Sequence, residues 1–571
     1  MTDLHIRLKQ RDCRTALLNQ QTTLHPILQR VFSARDIQSF DEVEYSLKSL
    51  IPPQLITNLQ QAAECIVRHL QNESRVLVFG DYDADGATST ALCVRALTSM
   101  GHKNCDFLLP DRFTDGYGVS AGVAEKIVAL KPDLVITVDS GIASFKGLQL
   151  LQQANIDVIV TDHHLAADEL PAATVIVNPN AFQQSEGKNL AGVGVAFYLM
   201  LEVRRVLREL RWFDVRPEPN LAECLDLVAI GTVADLVPLD YNNRILVNEG
   251  LKRLRAGACS VGIKKLIEIS GRSRFSLTSQ DIGFSLAPRL NAAGRLDNMT
   301  VGVQTLLCED ETSAAQLVNE LETMNLYRRE IQAQMTDQAV AMLPDVKQDR
   351  HRHGFVLYQQ DWHEGVVGII ASKVKDITYR PVISFACADD GQLKGSGRSI
   401  AGIHLRDMLD LVDKAAPGII VRFGGHAMAA GLTIKESELA HFTECFETVL
   451  QQHVNPLCFK NIAMSDGQIE ASEITLELAK ICRDAGPWGQ KFPLPTFDGE
   501  FKVLDQRVLG NKHLKFVLTP KGAHKPVDAI KFFADDQQLK TNYQTLNIYY
   551  ELNVNEFRGE QSLQLLIRNI F

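Results

Sequence analysis

From Arg75 to about Asn178 the chain alternates short, unbroken apolar runs with longer segments of helical period. The runs are RVLVFG (Arg75–Gly80), DFLLP (Asp106–Pro110), DLVITVD (Asp133–Asp139), DVIVTD (Asp157–Asp162) and TVIVN (Thr174–Asn178). Between them ATSTALCVRALTSM, SAGVAEKIVAL and SFKGLQLLQQA are each long enough for a helix. Strands that lack polar alternation are buried on both faces, so this pattern predicts a parallel sheet with helices on either side. Ligands of such sheets bind at the carboxyl ends of the strands.

Further along, Thr312 to Leu343 sets Leu317, Leu321, Met324, Ile331, Met335 and Met342 near one face of a helix. At 1.5 Å per residue it reaches roughly 45 Å, and Pro344 stops it. It reads as a strut between two lobes, with a helical hairpin as the alternative. His353 to about Leu450 then gives a second α/β pattern: GFVLYQ, a helix from Gly365, PVISF, LKGSGRS and RFGGHAMAAG. The remainder changes to period two in HLKFVL (His513–Leu518), LNIYYELNV (Leu546–Val554) and Leu563–Ile567, the signature of a half-buried antiparallel sheet and of a small barrel. No internal repeat interrupts this order.

Composition adds limits. A chain of 571 residues is too long for one core, so about three or four domains are expected. The amino terminus is polar, and the most apolar stretch, Leu190–Leu201, is too short to span a bilayer, which predicts a cytoplasmic protein. The eleven cysteines are scattered and never spaced Cys-x-x-Cys, so they read as reduced, buried thiols rather than a disulfide framework or a zinc ribbon. A net charge of −10 offers no overall attraction for nucleic acid. Nucleic-acid binding would then require acids gathered around cations and bases gathered locally in a groove.

The acids are indeed gathered. The first strand runs into GDYDADG, crowding Asp81, Asp83 and Asp85 into one turn; Asp139 closes another strand, and Asp162, His163 and His164 close a third. Strand tips about 4.8 Å apart bring such residues to one crevice. Asp235, inside the apolar LVAIGTVADLVPL, reads as a buried carboxylate. Five or six adjoining carboxylates repel one another unless cations lie between them. Carboxylate oxygens with one or two imidazoles suit Mn2+ or Mg2+ better than zinc or copper. Two ions bridged by an aspartate activate water for phosphoryl displacement without a protein nucleophile. For the phosphate itself, Arg289 and Arg295 flank Asn291 in what reads as a short loop, and Arg398 lies in a Gly/Ser-rich turn. In GGHAMAAG, Gly424 and Gly425 allow backbone amides near a phosphate, with His426 as a direct contact; a tight helix start is the alternative.

Together GDYDADG, VDSG, TDHH and VADLVPL resemble the DHH phosphoesterases. APRLNAAGR, GSGRS and GGHAMAAG fall in the order of that family's bacterial single-strand-specific exonucleases, and the likeness spans roughly residues 70–455. The resemblance implies an N-terminal extension over 1–70 packing on a DHH catalytic domain over 71–300, a connecting helix over 301–345, a second α/β domain of DHHA1 type over 346–455 and an OB-like barrel over 456–571. It implies two ions: Asp139 bridging, Asp85, His163 and Asp235 on one, Asp83 with Asp81 nearby on the other, and His164 on the scissile phosphate. Arg112, Ser396 and Arg398 would form a pocket for a 5′-terminal phosphate and so set 5′ to 3′ polarity. Single-stranded DNA would be the substrate, with a single-strand-binding protein and a RecQ-type helicase as partners in recombination and repair; a monomer is expected. Lys502, Arg507, Lys512, Lys515, Lys521, Lys525 and Lys531, among aromatic residues of the barrel, suit a single-strand groove. Two other readings compete. One is a DHH phosphodiesterase for small substrates such as oligoribonucleotides or cyclic dinucleotides, against which the length of the chain counts. The other is a non-catalytic single-strand-binding relative, against which the complete set of ligand residues counts.

Overall fold

The computed structural model describes residues 6–13, 23–343, 352–388 and 391–571. The chain opens with β1 (Arg7–Gln10), α1 (Pro26–Ser33) and α2 (Leu59–Gln71). Then come β2 (Val76–Phe79), α3 (Ala84–Ser99), β3 (Cys105–Leu108), α4 (Ala121–Leu130), β4 (Leu134–Val138), α5 (Phe145–Gln153), β5 (Asp157–Thr161) and β6 (Val175–Val177). Helices follow: α6 (Gly192–Glu209), α7 (Leu225–Ala234), α8 (Tyr241–Ala256), α9 (Val261–Ile269), the single turn α10 (Ser279–Asp281), α11 (Ala287–Leu296) and α12 (Thr300–Leu307).

β2 to β6 form a wholly parallel sheet in the order β3-β2-β4-β5-β6. Its apolar runs are buried on both faces, as expected, and alternate residues feed different cores. Val76, Val78, Leu134 and Ile136 join the core shared with α2, α3 and α6, while Leu77, Phe79 and Val135 join the one under α4 and α5. The chain leaves β2 for β3 on one side and returns to β4 on the other, so the strand order reverses beside β2. The crevice of such a sheet lies at that reversal, outside the carboxyl ends. The stretch Leu190–Leu201 becomes the start of α6, buried on all sides from Gly192 to Met200.

The strut is one continuous helix, α13 (Glu311–Met342), not a hairpin; Pro344 lies outside the described residues. Its buried positions are Ala314, Val318, Leu321, Asn325, Met335 and Ala339. The expected apolar face is thus corrected: Leu321 and Met335 are buried, Leu317, Met324 and Ile331 only partly, and Met342 is exposed. A helix that touches a different body at each end needs no continuous stripe.

The second unit comprises β7 (Phe355–Tyr358), α14 (Glu364–Thr378), β8 (Val382–Cys387), β9 (Gln392–Arg398), α15 (Leu405–Ala415), β10 (Ile420–Gly425), β11 (Ala429–Lys435) and α16 (Leu439–His453). Its mixed sheet runs β10-β11-β9-β8-β7. Last come β12 (Ile462–Ser465), α17 (Leu476–Asp484), β13 (Phe497–Leu509), β14 (His513–Pro520), β15 (Val527–Lys531), α18 (Asp536–Lys540), β16 (Thr545–Phe557) and β17 (Glu560–Ile570), of which β13 to β17 close a barrel.

The N-terminal segment does more than pack on the catalytic lobe. α2 lies against α6, but β1 pairs in parallel with β12 and Phe32 stacks on Trp488 and Phe492. Arg35 grips Asp466 through two hydrogen bonds of 2.8 and 3.0 Å, both side chains being buried. Removing one partner of a buried pair leaves an uncompensated charge, which costs about 3–5 kcal/mol. Arg35→Ala is therefore expected to lower the midpoint of chemical unfolding, and an unchanged midpoint would show that the pair is not part of the tie between the chain's two ends.

Candidate metal centre

The acidic residues meet where the sheet topology places a crevice. Asp83 caps α3: its Oδ1 accepts the amides of Asp85 (2.9 Å) and Gly86 (3.0 Å), the usual role of an aspartate at that position. Asp85, in the first turn of α3, is buried, and its two oxygens accept the amides of Gly192 (2.7 Å) and Val193 (3.0 Å) at the start of α6. An anion is favoured there by the unpaired amides and the helix dipole. Gly192 is required by space, because a Cβ at that residue would stand 2.6 Å from Cβ of Asp139. Asp139 itself holds a left-handed backbone (φ +56°), which a non-glycine residue adopts at a cost and which recurs at functional sites.

Candidate ligand atoms fall into overlapping groups, each within 4.8 Å: Asp85, His163 and Asp235; Asp81, Asp83 and Asp139; and Asp139, His163 and His164. His163 Nε2 lies 3.1 Å from Asp139 Oδ1 and 3.5 Å from Asp235 Oδ2. Asp81 Oδ1, Asp139 Oδ1 and His163 Nε2 are buried, and none is engaged in a properly aligned hydrogen bond. Buried polar atoms left without partners are rare and costly, and here they point at one another. Burial first, and crowding by the neighbouring carboxylates second, push the pKa of Asp85 up to about 7 and those of Asp81, Asp139 and Asp235 well above the ordinary carboxylate range. Divalent cations would reverse that sign, so the oxygen-rich donor set fits Mn2+ or Mg2+.

The two histidines are driven apart. Burial and the neighbouring His164 lower His163 to about 4, which leaves it a neutral imidazole, the form that ligates. Burial also works against His164, but its hydrogen bond to Asp162 and the surrounding carboxylates outweigh it and raise its pKa to about 9. Asp162 explains the orientation: it accepts the amides of Ile142, His163 and His164 and the Nδ1 of His164 (2.8 Å). Burial alone would raise Asp162, yet the His164 contacts hold it below the usual range. Tyr117, which the sequence reading passed over although it lies in LPDRFTDGYG beside Arg112, touches His164 Nδ1 (3.0 Å) and donates to the Asp139 carbonyl (3.1 Å).

The arginines divide into two kinds. Arg295 is half-buried at the meeting of the lobes and donates to the Gly365 carbonyl (3.1 Å); its desolvation and the charges of Arg112, Arg398 and Arg328 lower its pKa to about 9. Arg112 lies over the Tyr82 ring (4.2 Å to its centre) and Arg398 bonds Ser396 Oγ (3.0 Å). A group of guanidiniums this close has the charge of an anion site. Arg328, on the strut, was not foreseen.

Two expectations about local structure need correction. Arg289, Asn291 and Arg295 sit on α11, not in a loop, because Pro288 starts a helix well and Ala, Leu and Arg continue one. Arg289 is engaged by Glu322 of α13 (2.6 Å) and the Ser285 carbonyl (2.6 Å), so it braces two helices. Asn291 Oδ1 accepts the Ala84 amide (2.9 Å), so it positions the acidic turn. Gly424, Gly425 and His426 lie at the β10–β11 hairpin, not at a helix start. Gly424 pairs with Gly431, and Gly425 takes φ +139° where a Cβ would meet the Ala429 carbonyl at 2.5 Å. That turn sets the His426 ring 6.1 Å from the His164 ring.

If cations relieve the carboxylate repulsion, they stabilise the fold by mass action, about 2.7 kcal/mol at a hundred times Kd. The wild type is expected to melt higher in Mn2+ than in EDTA, with a larger gap at pH 8 than at pH 6, since Asp85 must give up its proton. Asp139→Asn removes one charge and keeps a side chain that tolerates the left-handed backbone. It is expected to melt no lower than the wild type in EDTA and to lose most of the Mn2+ gain. A full Mn2+ gain in that variant would remove Asp139 from the ligand set.

The chain is similar to known proteins over nearly all of its length. The DHH family N-terminal domain matches residues 75–232, the DHHA1 domain 352–452 and the RecJ OB domain 465–569. The single-stranded-DNA-specific exonuclease RecJ of Escherichia coli strain K12 is 47% identical over 554 residues, 96% of each chain. Its namesake in Bacillus subtilis strain 168 is 32% identical over 97% of this chain and 69% of its own. Among solved structures, RecJ of Thermus thermophilus in complex with Mn2+ matches with a TM-score of 0.80 at 28% identity, over 96% of this chain and 76% of that one. The same protein has also been solved with Mg2+. With full-length likeness of this degree, the chain belongs to the family of RecJ single-stranded-DNA-specific exonucleases.

Proposed function

We propose that this protein degrades single-stranded DNA from the 5′ end to 5′-mononucleotides. The observation that carries the reading is the juxtaposition of a carboxylate crevice that needs cations with a cluster of guanidiniums that, among the described residues, have no carboxylate partner and need an anion. One substrate supplies both: a strand whose terminal phosphate is held by Arg112, Arg295, Ser396 and Arg398 while its next phosphodiester reaches the crevice. Asp139 would bridge two ions, with Asp85, His163 and Asp235 on one and Asp81 and Asp83 on the other. When bound, such a pair lowers the pKa of a water and neutralises charge building on the scissile phosphate.

The chain's own groups do the rest. His164, cationic and fixed by Asp162 and Tyr117, is placed to donate a hydrogen bond to a phosphate oxygen, and His426 faces it from the second lobe. Holding the terminal phosphate at a fixed distance from the crevice makes cleavage release one nucleotide at a time and sets the direction. A narrow passage between the two lobes would exclude a paired strand sterically. The barrel adds length to the contact, though Lys521, Arg507 and Lys515 are paired with Glu500, Asp505 and Asp528, so less positive charge is free there than the sequence suggests. The division into an N-terminal extension, catalytic lobe, strut, phosphate-holding lobe and barrel follows the same logic. Delivery of the strand by a single-strand-binding protein or a RecQ-type helicase belongs to this reading too. Small substrates would leave the barrel and strut without a role.

With Mn2+ and a 5′-phosphorylated single strand labelled at its 3′ end, the wild type is expected to release mononucleotides from the 5′ side and to spare duplex, RNA and pyrophosphate. Asp139→Asn should bind the strand and lose at least a hundredfold in rate. Cleavage of dinucleotides alone would favour a small-substrate phosphodiesterase.

A further inference from the structure

The turn between α10 and α11, Ile282–Leu286, is a π turn, and the roles assigned so far make no use of it. A π turn closes around one residue more than an α turn, has poorer hydrogen-bond geometry, and recurs where the displaced residue is used. Within this turn Ile282, Ser285 and Leu286 are buried, whereas Phe284 is 82% exposed. Nothing in the packing of the turn requires an aromatic ring there.

Its neighbours give the location. A Cβ on Gly283 would stand 3.5 Å from Cγ1 of Val233, two residues before Asp235. Leu236, the residue after Asp235, is 69% exposed on a left-handed backbone (φ +60°). On the other flank Ser279 Oγ donates to the Trp488 carbonyl (2.6 Å), in the segment that leads into the barrel. Downstream, α11 continues directly to Asn291 and Arg295, which touch the acidic turn and the second lobe. Phe284 stands about two helical turns, roughly 10 Å, before Asn291. The turn that carries Phe284 is thus packed against the helix that ends at Asp235 on one flank and tied to the segment before the barrel on the other.

We propose that Phe284 is a stacking platform for an unpaired base on the 3′ side of the scissile bond. The inference rests on the strand-degrading reading above. Every base has a π face and stacks on an exposed ring whatever the sequence. A base inside a duplex has both faces occupied, so the platform adds an attractive preference for unpaired strand to the steric one.

The test measures binding apart from cleavage. A 5′-phosphorylated, fluorescein-labelled dT12 is titrated with the full chain in Ca2+, and binding is read by anisotropy. Phe284→Ala is expected to raise Kd about tenfold, within the range set by loss of one base stack, while Phe284→Trp stays at or below the wild-type value. A 5′-phosphorylated dinucleotide, too short to reach the platform, should compete equally well for both variants. An unchanged Kd for dT12 in Phe284→Ala overturns the proposal, as does an equal loss for the dinucleotide. If the wild type binds dT12 yet cleaves none in Mn2+, the exonuclease reading fails, while the platform is still judged by the Kd comparison.

Discussion

Mutual repulsion among buried carboxylates is the constraint on which the rest of this structure depends. Asp81, Asp85, Asp139 and Asp235 would all be easier to fold apart, and their raised pKa values express that cost. Local backbone devices hold them together: a helix cap at Asp83, the amides of α6 at Asp85 and a left-handed residue at Asp139. Each device is a feature of the main chain, so the fold itself sets the spacing of the cluster. Preorganisation of this kind converts a fold-destabilising arrangement into tight binding of opposite charge.

The same logic acts twice more with the signs exchanged. Two adjacent histidines are driven in opposite directions, because burial and the neighbouring His164 hold His163 neutral while His164 is clasped by Asp162. Neighbours, not residue type, decide which is a ligand and which a cation. Across the cleft Arg112, Arg295, Arg328 and Arg398 crowd one another as the acids do. Excess negative and excess positive charge thus stand side by side, contributed by different parts of the chain.

The parallel sheet could be read from the sequence because its strands are short apolar runs ending in acids, and each run is local information. The acidic tips could be placed at one crevice because parallel strands all end on the same side. Arg289 could not be judged, since its partner Glu322 lies on another helix and only tertiary structure brings them together. Nor could the pairing of β1 with β12, which joins segments some 450 residues apart with no motif in either. The loop expected around Asn291 failed because polar residues facing a buried turn look, in sequence, like residues facing water. Phe284 is hidden for the converse reason: in sequence, a phenylalanine in an apolar helix looks like core.

The strut sets the phase of the two lobes as well as their spacing. Val318 and Leu321 belong to the core of the first lobe, whereas Met335 and Ala339 belong to that beneath β7 and α14. Between these anchors α13 is an uninterrupted α-helix, in which each residue turns the axis by about 100° and advances it by about 1.5 Å. Its length in residues therefore encodes an angle: one residue more or fewer would swing Arg398 and His426 of the second lobe round to another side of the first. A loop can change length without turning the parts it joins, but this helix can change only in steps that restore the original bearing.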